Sequence, residues 1–551
     1  MTAPAADLGR VLARRSFIEL PARERARAVL DEDGFRELLD PFDRTYSPWL
    51  AMQGIVPQAD DGVVIARGRL DGQPAVVAAI EGGFQGGSLG EIGGAKIACA
   101  LELAARDHER GILTRPVLLL ETGGVRLQEA NLGLAAIAEI HARIVALRGR
   151  VPVVGVVAGM VGCFGGMSLA AALCSHLVVT RQGRLGMNGP EVIEQEAGVE
   201  ELDASDRRLV WSLVGGEQRR ATGLADALVE DDARAVAGAV RDAFRRGSPA
   251  RHRSEQVAHF REQLGALELP PPPPPPVGAG PSASRGQTWF EALSGRDGRV
   301  SGGPASVRVA DVGLGGEAVR VLAVVPDPQG RFPRARSGEV GLEEAWALAA
   351  YVREAVEADA GGPRRPLVAV VDVPGQAYGR LEERLGIHLA CAAAVDAYAT
   401  ARLAGHPVVA LLVGRAMSGA FLAHGYQADR LLALDDPGVL VHAMSKAAAA
   451  RVTRRSVAEV EALGARVLPM SYDVRAYARL GFLHQIVAGV SAGAPSSADV
   501  ERVRDAIASA VADVRSRGGD VGHRLSSAAA AETRAATIDV RRRLAERWAA
   551  G

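Results

Sequence analysis

The sequence predicts an α/β fold that is used twice within one chain of 551 residues. Apolar, strand-like runs alternate with helix-like stretches, which is typical of parallel strands joined by right-handed crossovers. Three motifs recur in the same order in both parts of the chain, and seven consecutive prolines, residues 270–276, stand between the two sets. We therefore expect two related α/β domains that arose by duplication.

The repeated motifs share little sequence identity, so their common order is the stronger argument for duplication. Each is an apolar strand followed by a glycine turn, or a helical stretch followed by a strand. The corresponding segments are 117–129 and 368–380, 152–173 and 407–426, and 219–229 and 476–487.

The proline run also predicts where the domains end. Seven prolines in polyproline II conformation form a stiff spacer of about 20 Å, and the glycine- and serine-rich residues that follow are typical of a flexible linker. The sequence thus divides into a domain at 1–269, a linker at 270–286 and a domain at 287–551. A recognition site for a proline-binding domain is the alternative interpretation of the run.

The composition excludes several classes of protein. Hydrophobic residues make up 48% and charged residues 23%, and the net charge of −1 gives no basic excess for nucleic acid. The cysteines Cys99, Cys163, Cys174 and Cys391 lack metal-ligand spacing, so we expect buried thiols in a reducing compartment. The N-terminal residues contain no apolar leader, which favours a cytoplasmic protein.

One long uncharged stretch, residues 151–175, is long enough to cross a membrane. Its first part, Val151 to Val157, is β-branched and strand-like, glycines follow, and helical character resumes at about Met167. A strand, a glycine loop and a buried helix fit this pattern better than one spanning helix.

Two further elements are predicted near the ends of the chain. Residues 62–81 form a hairpin that turns at Asp71–Gly72. Residues 525–548 form a solvent-facing helix.

Five glycine clusters stand between an apolar strand and a helical stretch. Glycine lets the backbone approach a ligand closely, and a helix start offers unpaired N–H groups. Together they can hold an oxyanion, although a tight turn is the alternative for any single cluster. The clusters are 82–90, 122–129, 162–168, 373–379 and 416–421.

Other catalytic motifs are absent from the sequence. There is no phosphate-binding GxxxxGK[ST] loop, no convincing dinucleotide motif and no GxSxG nucleophile elbow. Ser88, Ser168 and Ser418 are interpreted as helix-start residues. The spacing of the histidines does not indicate a metal, so no metal site is expected.

The chain has two lysines, Lys96 and Lys446, so each is conspicuous. Lys96 follows the GGSLG cluster by one helical stretch, where an anionic cofactor tail could reach it; a surface lysine is the alternative. The predicted cofactor-binding residues are therefore Gly86, Gly87, Ser88, Lys96 and Arg126. Arg126 is expected to brace its loop rather than touch substrate.

These motifs resemble a known family. GGSLGEIGGAK, ETGGVRLQEA and GMVGCFGGMS resemble the β half of acyl-CoA carboxyltransferases, and VDVPGQAYGR and GRAMSGAF resemble the partner half. Longer strings are more similar to the β and γ subunits of biotin-independent malonate decarboxylase. They are SFIELPARERARAVLDEDGFRELLDPFDR, RRATGLADALVEDD, NGPEVIEQEAG and RGQTWFEALSG.

The resemblance covers nearly the whole chain, but this sequence joins the two subunits, and its C-terminal helix is a candidate addition. The family implies a crotonase-type fold in each half with the active site between the halves. It also implies decarboxylation of a malonyl thioester to an acetyl thioester. The substrate would be carried on an acyl carrier protein with a CoA-like prosthetic group, and a separate transferase subunit would load it. No cofactor bound directly to this chain is expected.

Loss of CO2 leaves an enolate whose charge lies on the thioester oxygen, and fixed amides would stabilise it. The N–H groups expected at that oxygen are those of Val125, Gly165 and Gly166. Those expected at the malonyl carboxylate are Ala377, Gly419 and Ala420. Tyr378 and bound water both remain candidates for the proton donor.

Two alternative functions remain open at this point. The chain could be a carboxyltransferase component that uses carboxybiotin, which would require a biotinylated partner because no AMKM-like lysine occurs here. It could also be a non-catalytic scaffold that docks a carrier protein, although intact glycine turns in both halves argue against this.

Overall fold

The structure is a computed structural model that describes residues 13–32, 34–269, 284–295 and 303–550. Each half of the chain builds one seven-stranded sheet with helices packed around it. The first sheet consists of β1 (Arg36–Leu38), β2 (Val63–Leu70), β3 (Gln73–Ile80), β4 (Arg115–Leu119), β5 (Val154–Val157), β6 (His176–Thr180) and β7 (Ala227–Val229). The second consists of β8 (Val307–Leu314), β9 (Glu317–Val324), β10 (Leu367–Val373), β11 (Val408–Met417), β12 (Arg430–Leu434), β13 (Leu440–His442) and β14 (Gln485–Val487).

The helices connect these strands and cover the sheets. Those up to residue 269 are α1 (Ala22–Val29), α2 (Pro48–Ala51), α3 (Glu91–Glu109), α4 (Ala130–Arg148), α5 (Gly166–Leu173), α6 (Pro190–Ala197), α7 (Arg207–Val214), α8 (Gly216–Ala221), α9 (Ala233–Arg246) and α10 (Val257–Gly265). Those beyond it are α11 (Arg285–Ser294), α12 (Leu342–Ala358), α13 (Arg380–Arg384), α14 (Ile387–Leu403), α15 (Ser418–Ala423), α16 (Lys446–Val452), α17 (Val457–Arg466), α18 (Val474–Arg479), α19 (Ser497–Arg517), α20 (Ala528–Thr533) and α21 (Ala535–Ala549). Short 3₁₀ turns lie at Pro41–Asp43, Gln85–Gly87, Leu127–Glu129, Arg253–Glu255, Pro333–Ala335, Leu468–Met470 and Val521–Leu525.

The first sheet begins as an antiparallel hairpin and continues as a parallel sheet. β1 pairs antiparallel with β2 and β2 with β3, and β3 to β7 then run parallel in chain order. Asp71 and Gly72 join β2 to β3, and their φ angles of 49° and 73° are those of a type I′ turn. The predicted hairpin is confirmed.

The second sheet repeats this plan. β8 and β9 form an antiparallel hairpin, and β9, β10, β11, β12 and β14 run parallel, while β13 pairs with the end of β11. Each predicted repeat occupies the same place in both sheets: β4 matches β10, β5 with α5 matches β11 with α15, and α8 with β7 matches α18 with β14. The duplicated α/β fold predicted from the sequence is confirmed.

The uncharged stretch at 151–175 is a strand, a glycine loop and a buried helix, as predicted. β5 ends at Val157, and α5 begins at Gly166 inside the protein. A different segment, Leu127–Arg148, is long and apolar enough to cross a membrane, but 89% of its most apolar window is buried in the fold. It contains α4, which packs against α3, α5 and α14, so it is a core helix.

The two halves meet along α4 and α5 of the first and α14 of the second. Arg148, at the end of α4, pairs with Asp396 of α14 at 2.6 Å, and both side chains are buried. Removing either partner would leave an uncompensated charge inside the protein. The ion pair therefore links the two halves at a place where separating its partners would be costly.

The C-terminal tail differs in part from the prediction. One face of α21 lies across α3 of the first half, while Arg542 and Glu546 on the opposite face are exposed. Its Arg541 forms ion pairs with Glu102 and Glu139 of that half. The buried face of α21, spaced as in an amphipathic helix, consists of Thr537, Val540, Leu544 and Trp548. The prediction of a solvent-facing helix is correct for the exposed face alone, because this stripe contacts the other half of the chain.

The predicted proline linker lies outside the described residues as far as residue 283. Helix α11 begins at Arg285, and the Ser284 side chain caps it by accepting from the Gln287 N–H. The last residues of the predicted linker are therefore helical. The domain limits at 269 and 287 stay a prediction.

Candidate active site

A cavity of about 600 Å³ lies between the two halves, where glycine loops of both sheets meet. Each of these loops follows the carboxyl end of a parallel strand, the edge at which open α/β sheets bind ligands. Residues predicted for catalysis that line the cavity are Val125, Gly165, Gly166, Tyr378 and Gly419. Residues predicted for cofactor binding that line it are Gly86, Ser88 and Arg126. Ala377, Ala420, Gly87 and Lys96 are not among its lining residues.

Two main-chain amides of the first half lie beside the cavity without an acceptor in the described part of the chain. Leu89 N–H donates to Gly124 O, and Leu89 O accepts from Arg126 N–H, each at 2.8 Å. The residue between Gly124 and Arg126 therefore points its own N–H away from Leu89. That residue is Val125. The second amide is that of Gly166, the first residue of α5, where no intrahelical acceptor exists.

Glycines allow these two amides to come together. Gly124 has φ of 106° and Gly165 has φ of 60°, values that favour glycine. A Cβ on Gly124 would lie 3.3 Å from both Gly165 Cα and Phe164 O, which is tighter than an ordinary contact. The 122–129 and 162–168 loops therefore touch through bare backbone, and Val125 and Gly166 are the next residues of each loop.

The structure corrects the prediction for Gly165. Its N–H donates to Met187 O at 2.9 Å and is not available to a substrate oxygen. Gly165 still matters, because it is the residue before α5 and its backbone angles start that helix. The prediction of three donors in the first half thus reduces to Val125 and Gly166.

The second half presents its amides differently. Gly419 N–H donates to the side-chain Oε1 of Gln376 at 3.1 Å, and Ala377 N–H donates to Val340 O at 3.1 Å. The prediction for Ala377 is wrong, because its N–H is bound within the main chain. Ala420 N–H, near the start of α15, has no acceptor outside that helix among the described residues. Ser418 begins this helix as predicted, with φ of 54°.

Gln376 belongs to a hydrogen-bonded link between the halves. Its Nε2 donates to Asn188 Oδ1 at 2.8 Å, and Asn188 Nδ2 donates to Ala377 O at 2.9 Å. All these groups are buried, so each bond costs more to break than it would in water. The first half thereby fixes the amide that covers Gly419 N–H in the second half.

The buried carboxylate of Glu383 binds the main chain next to the Asn188–Gln376 link. Glu383 accepts from Met187 N–H at 3.1 Å and from Asn188 N–H at 2.6 Å, and it pairs with Arg219 at 3.6 Å. Burial raises the pKa of Glu383 to about 7, and burial lowers the pKa of Arg219 to about 10. The second half thus holds the main chain of the first half at the point where Met187 accepts from Gly165.

Tyr378 lines the cavity from the second half and is partly exposed to it. Burial is the main cause that raises the pKa of its phenol above the ordinary value. The raised pKa makes this hydroxyl a weaker acid, so it would give up its proton only to a strong base.

The 82–90 loop, which carries three of the predicted cofactor-binding residues, has no room for a side chain at Gly87. Gly87 has φ of 65°, and a Cβ there would collide with the main-chain oxygen of Glu121. Gly86 and Ser88 on either side line the cavity, whereas Gly87 lies behind them. Gly87 therefore shapes the loop rather than contacting a ligand.

Arg126 braces its loop, as predicted. Its guanidinium pairs with Asp61 and Glu129, donates to Ser88 O at 2.7 Å, and is almost fully buried. Burial and the neighbouring Asp61 raise the pKa of Glu129 to about 7. Arg126 thereby ties the 82–90 loop to the 122–129 loop.

Lys96 is not a cofactor ligand in this structure. It is fully buried in α3, and its Nζ donates to the main-chain oxygens of Leu39, Asp60 and Val63. Burial lowers its pKa to about 8. Both the cofactor prediction and the surface alternative are wrong for this residue, because its amine is enclosed by carbonyl groups.

One group of side chains outside the cavity has the geometry of a metal site among the described residues. His484, Asp513 and His523 place ligand atoms within 4.8 Å of one another. Asp513, however, accepts from Arg430 at 2.7 Å and Arg517 at 3.0 Å, and two guanidinium charges oppose a further cation. The expectation of no metal site stays a prediction.

Three functional candidates were missed by the sequence analysis: Asn188, Gln376 and Glu383. Asn188 and Gln376 lie within strings that carried the resemblance, NGPEVIEQEAG and VDVPGQAYGR. A polar amide between glycines is the only local signal. Their partners lie in the opposite half of the chain, so no spacing rule could have paired them.

Comparison with known proteins matches each half of the chain to its own family. The family described as "Carboxyl transferase domain" matches residues 19–252, and "Malonate decarboxylase gamma subunit" matches residues 335–548. The second match includes α21, so the C-terminal helix is not an addition peculiar to this chain.

Individual relatives agree with this division. "Malonyl-S-ACP:biotin-protein carboxyltransferase MADC" of Malonomonas rubra is 41% identical over 266 residues, 46% of this chain and 81% of that protein. MADD of the same organism, with the same description, is 41% identical over 137 residues, 24% of this chain and 47% of that protein. A Pseudomonas malonate decarboxylase hetero-tetramer, solved in complex with malonate, contains a chain that is 65% identical, with a TM-score of 0.47, covering 48% of this chain and 97% of that one.

The two family matches fall on the two sheets, and the cavity with its amides lies where the sheets meet. One curated relative is matched over most of its own length. The chain therefore belongs to the malonate decarboxylase family of carboxyltransferase-fold proteins and joins its β-like and γ-like halves in one polypeptide.

Proposed function

We propose that this chain decarboxylates a malonyl thioester on an acyl carrier protein, giving an acetyl thioester and CO2, without biotin. The observation that carries the proposal is the pair of unpaired amides, Val125 and Gly166, beside a cavity lined by both halves. The names of the relatives, which concern malonyl thioesters and malonate, support the choice of substrate.

The chemistry requires little beyond fixed dipoles. When the bond between C2 and the carboxyl carbon breaks, its electron pair moves into an enolate whose charge lies on the thioester oxygen. N–H groups of Val125 and Gly166 would stabilise that oxygen more in the transition state than in the ground state. Each such donor is worth about 3 kcal/mol of barrier.

The malonyl carboxylate would face the second half. Gly419, which lines the cavity, can offer its N–H when the carboxylate replaces Gln376 Oε1. C2 then takes a proton. Tyr378, whose pKa is raised, and bound water remain the two candidates for the donor.

The partners follow from the substrate. A carrier protein would bring the CoA-like prosthetic group to the cavity, with Gly86 and Ser88 at its wall. A transferase subunit would load the malonyl group, and the assembly would be a hetero-oligomer in the cytoplasm. The hetero-tetrameric state of the Pseudomonas relative supports this assembly.

A second function is favoured by one specific observation. MADC and MADD are described as transferring the carboxyl group to a biotin protein. The same amides would serve that reaction, because it also proceeds through an enolate at the thioester oxygen. A scaffold without activity is not supported, since Val125 N–H and Gly166 N–H have no acceptor among the described residues.

One assay separates these functions. The chain would be given malonyl-loaded acyl carrier protein in the presence of avidin, which removes free and protein-bound biotin. We expect CO2 and acetyl-carrier in equal amounts, measured by trapped radiolabelled CO2 and by intact mass. If turnover occurs only when a biotinylated protein is added without avidin, the chain is a carboxyltransferase. If neither product forms in either condition, the catalytic proposal fails.

A further inference from the structure

Met187 has an unusual position between the two sets of amides. Its main-chain oxygen accepts from Gly165 N–H at 2.9 Å, and its N–H donates to Glu383 at 3.1 Å. Both main-chain groups are thus bound, one to each half of the chain. The backbone of Met187 is fixed beside the first-half loop that ends in Gly166.

The side chain of Met187 extends to the other loop. A Cβ on Gly419 would collide with the Met187 Cε, so the thioether methyl lies directly against that glycine. The side chain is buried yet lines the cavity. One residue therefore forms a continuous wall from the amides of the first half to those of the second.

A malonyl group that spans both loops must pass this wall. Its thioester oxygen would lie at Val125 and Gly166 and its carboxylate near Gly419, so C2 would lie between them. We infer that Met187 is a specificity-determining residue that admits malonyl groups with an unsubstituted C2 and excludes 2-alkylmalonyl groups. This inference rests on the proposed function.

The size of the effect follows from the packing. One methyl or methylene group in a tight apolar pocket changes selectivity by about 10–200-fold. Methionine is unbranched and adaptable, which places the expected value toward the lower end of that range. Shortening the side chain to alanine removes the atoms that contact Gly419 and opens space beside C2.

The test compares two substrates in matched variants. The variants are Met187→Ala, Met187→Leu and, as a control, Met167→Ala. Met167 is fully buried in α5 but does not line the cavity. For each variant, kcat/KM is measured with malonyl-carrier and with racemic 2-methylmalonyl-carrier. The ratio of the two values does not depend on how much of the variant is folded.

We expect Met187→Ala to raise the methylmalonyl-to-malonyl ratio by about tenfold or more. Met187→Leu should change it less, and Met167→Ala should leave it at the parent value. A ratio in Met187→Ala equal to that of the parent overturns the inference.

A binding measurement on the unaltered chain covers the case in which Met187→Ala does not fold. Sulfoacetyl-CoA and 2-sulfopropionyl-CoA carry a sulfonate in place of the carboxylate and cannot lose CO2. We expect the first to bind at least tenfold more tightly by calorimetry; equal affinities overturn the inference. Absence of malonyl turnover in the parent would instead count against the proposed function, because binding preference is measured separately.

Discussion

The two glycine loops at the cavity, 162–168 and 416–421, come from equivalent positions in the duplicated fold but are not in the same state. Gly166 N–H in the first loop has no acceptor in the described part of the chain, whereas Gly419 N–H in the second donates to Gln376. The first loop can receive an oxygen as it stands. The second must exchange a side-chain oxygen for one of the substrate.

This difference shows how a duplicated fold can divide one reaction. The loop that stabilises developing charge benefits from being fixed in advance, since reorganisation at the moment of reaction would raise the barrier. The loop that binds the charge already present in the substrate can exchange its bond to Gln376 Oε1 for a bond to the substrate carboxylate. Asn188 and Gln376 connect the two, because they join the halves beside both loops.

The largest expected effect concerns the buried pair beneath the first loop. Arg219→Met should lower the free energy of unfolding by about 3–5 kcal/mol, because it leaves Glu383 buried without its cation. The double variant Arg219→Met/Glu383→Gln should recover part of this loss. Urea unfolding measures both; if the double variant is no more stable than the single one, the pair is not the cause.

The second-largest effect is expected from removing an amide donor of the 162–168 loop. Gly166→Pro removes the N–H at a helix position that accepts proline, and should lower kcat by about 10²–10³-fold. Gly166→Ala keeps the N–H and is the control, because its Cβ would meet Leu422 Cδ1 at 2.7 Å and Ile137 Cγ2 at 2.8 Å, and the proline variant carries the same Cβ. Steady-state kinetics with malonyl-carrier compare the two. Equal activity in both variants would exclude Gly166 as a donor.

A third prediction contrasts buried acids of the two halves. Burial raises the pKa of Glu344 to about 7 from its ordinary value near 4.5, so the folded state holds a proton that the unfolded chain releases. The contribution of Glu344 to stability should therefore fall as the pH rises from about 4.5 to 7. Glu344→Gln should remove about 3 kcal/mol of that fall.

Glu129 has a similarly raised pKa but touches Arg126 beside the cavity. Glu129→Gln should thus change the pH profile of kcat as well as that of stability. Urea unfolding and kcat between pH 4.5 and 7.5 check both variants. A changed kcat profile in Glu344→Gln would contradict the distinction between the two halves.

The smallest effect is expected where the loops are linked. Asn188→Ala breaks the bonds to Gln376 and Ala377 and should lower kcat by about tenfold through loss of positioning. Asn131→Ala is the matched control: Asn131 is also buried and also bonds across the halves, to Ser471 O at 2.8 Å, but does not line the cavity. Steady-state kinetics should show a kcat loss for Asn188→Ala alone; the same kcat loss in both variants would mean that general destabilisation is responsible.

The sequence predicts the fold well because its signals are local. Strand-and-glycine segments such as 152–173 carry their own periodicity, and Asp71–Gly72 specifies its own turn. Val125 and Gly166 could be proposed for the same reason, since glycines before them permit close approach of the backbone. The buried face of the tail was misjudged because the partner of Val540 and Leu544 is α3, far away in sequence.

The state of each amide could not be predicted, because it depends on which group lies opposite. Gly165 and Gly166 are adjacent, yet one N–H meets Met187 O and the other meets none of the described residues. Lys96 was predicted to be accessible because it follows a glycine loop, but the carbonyls that enclose it come from two other segments, one with Leu39 and one with Asp60 and Val63. Such pairings arise only when the chain is folded.

The packing of α21 on α3 also has a consequence for how the chain responds to proteolytic cleavage. With Trp548 and Leu544 seated on the first half, and Arg148 joined to Asp396 at the seam, covalent continuity is not what keeps the halves together. If the backbone were cleaved between residues 269 and 284, we expect the two fragments to remain associated and to elute together from a size-exclusion column. Trimming the last fifteen or so residues would be the more harmful cut, since it strips a cover from an apolar surface.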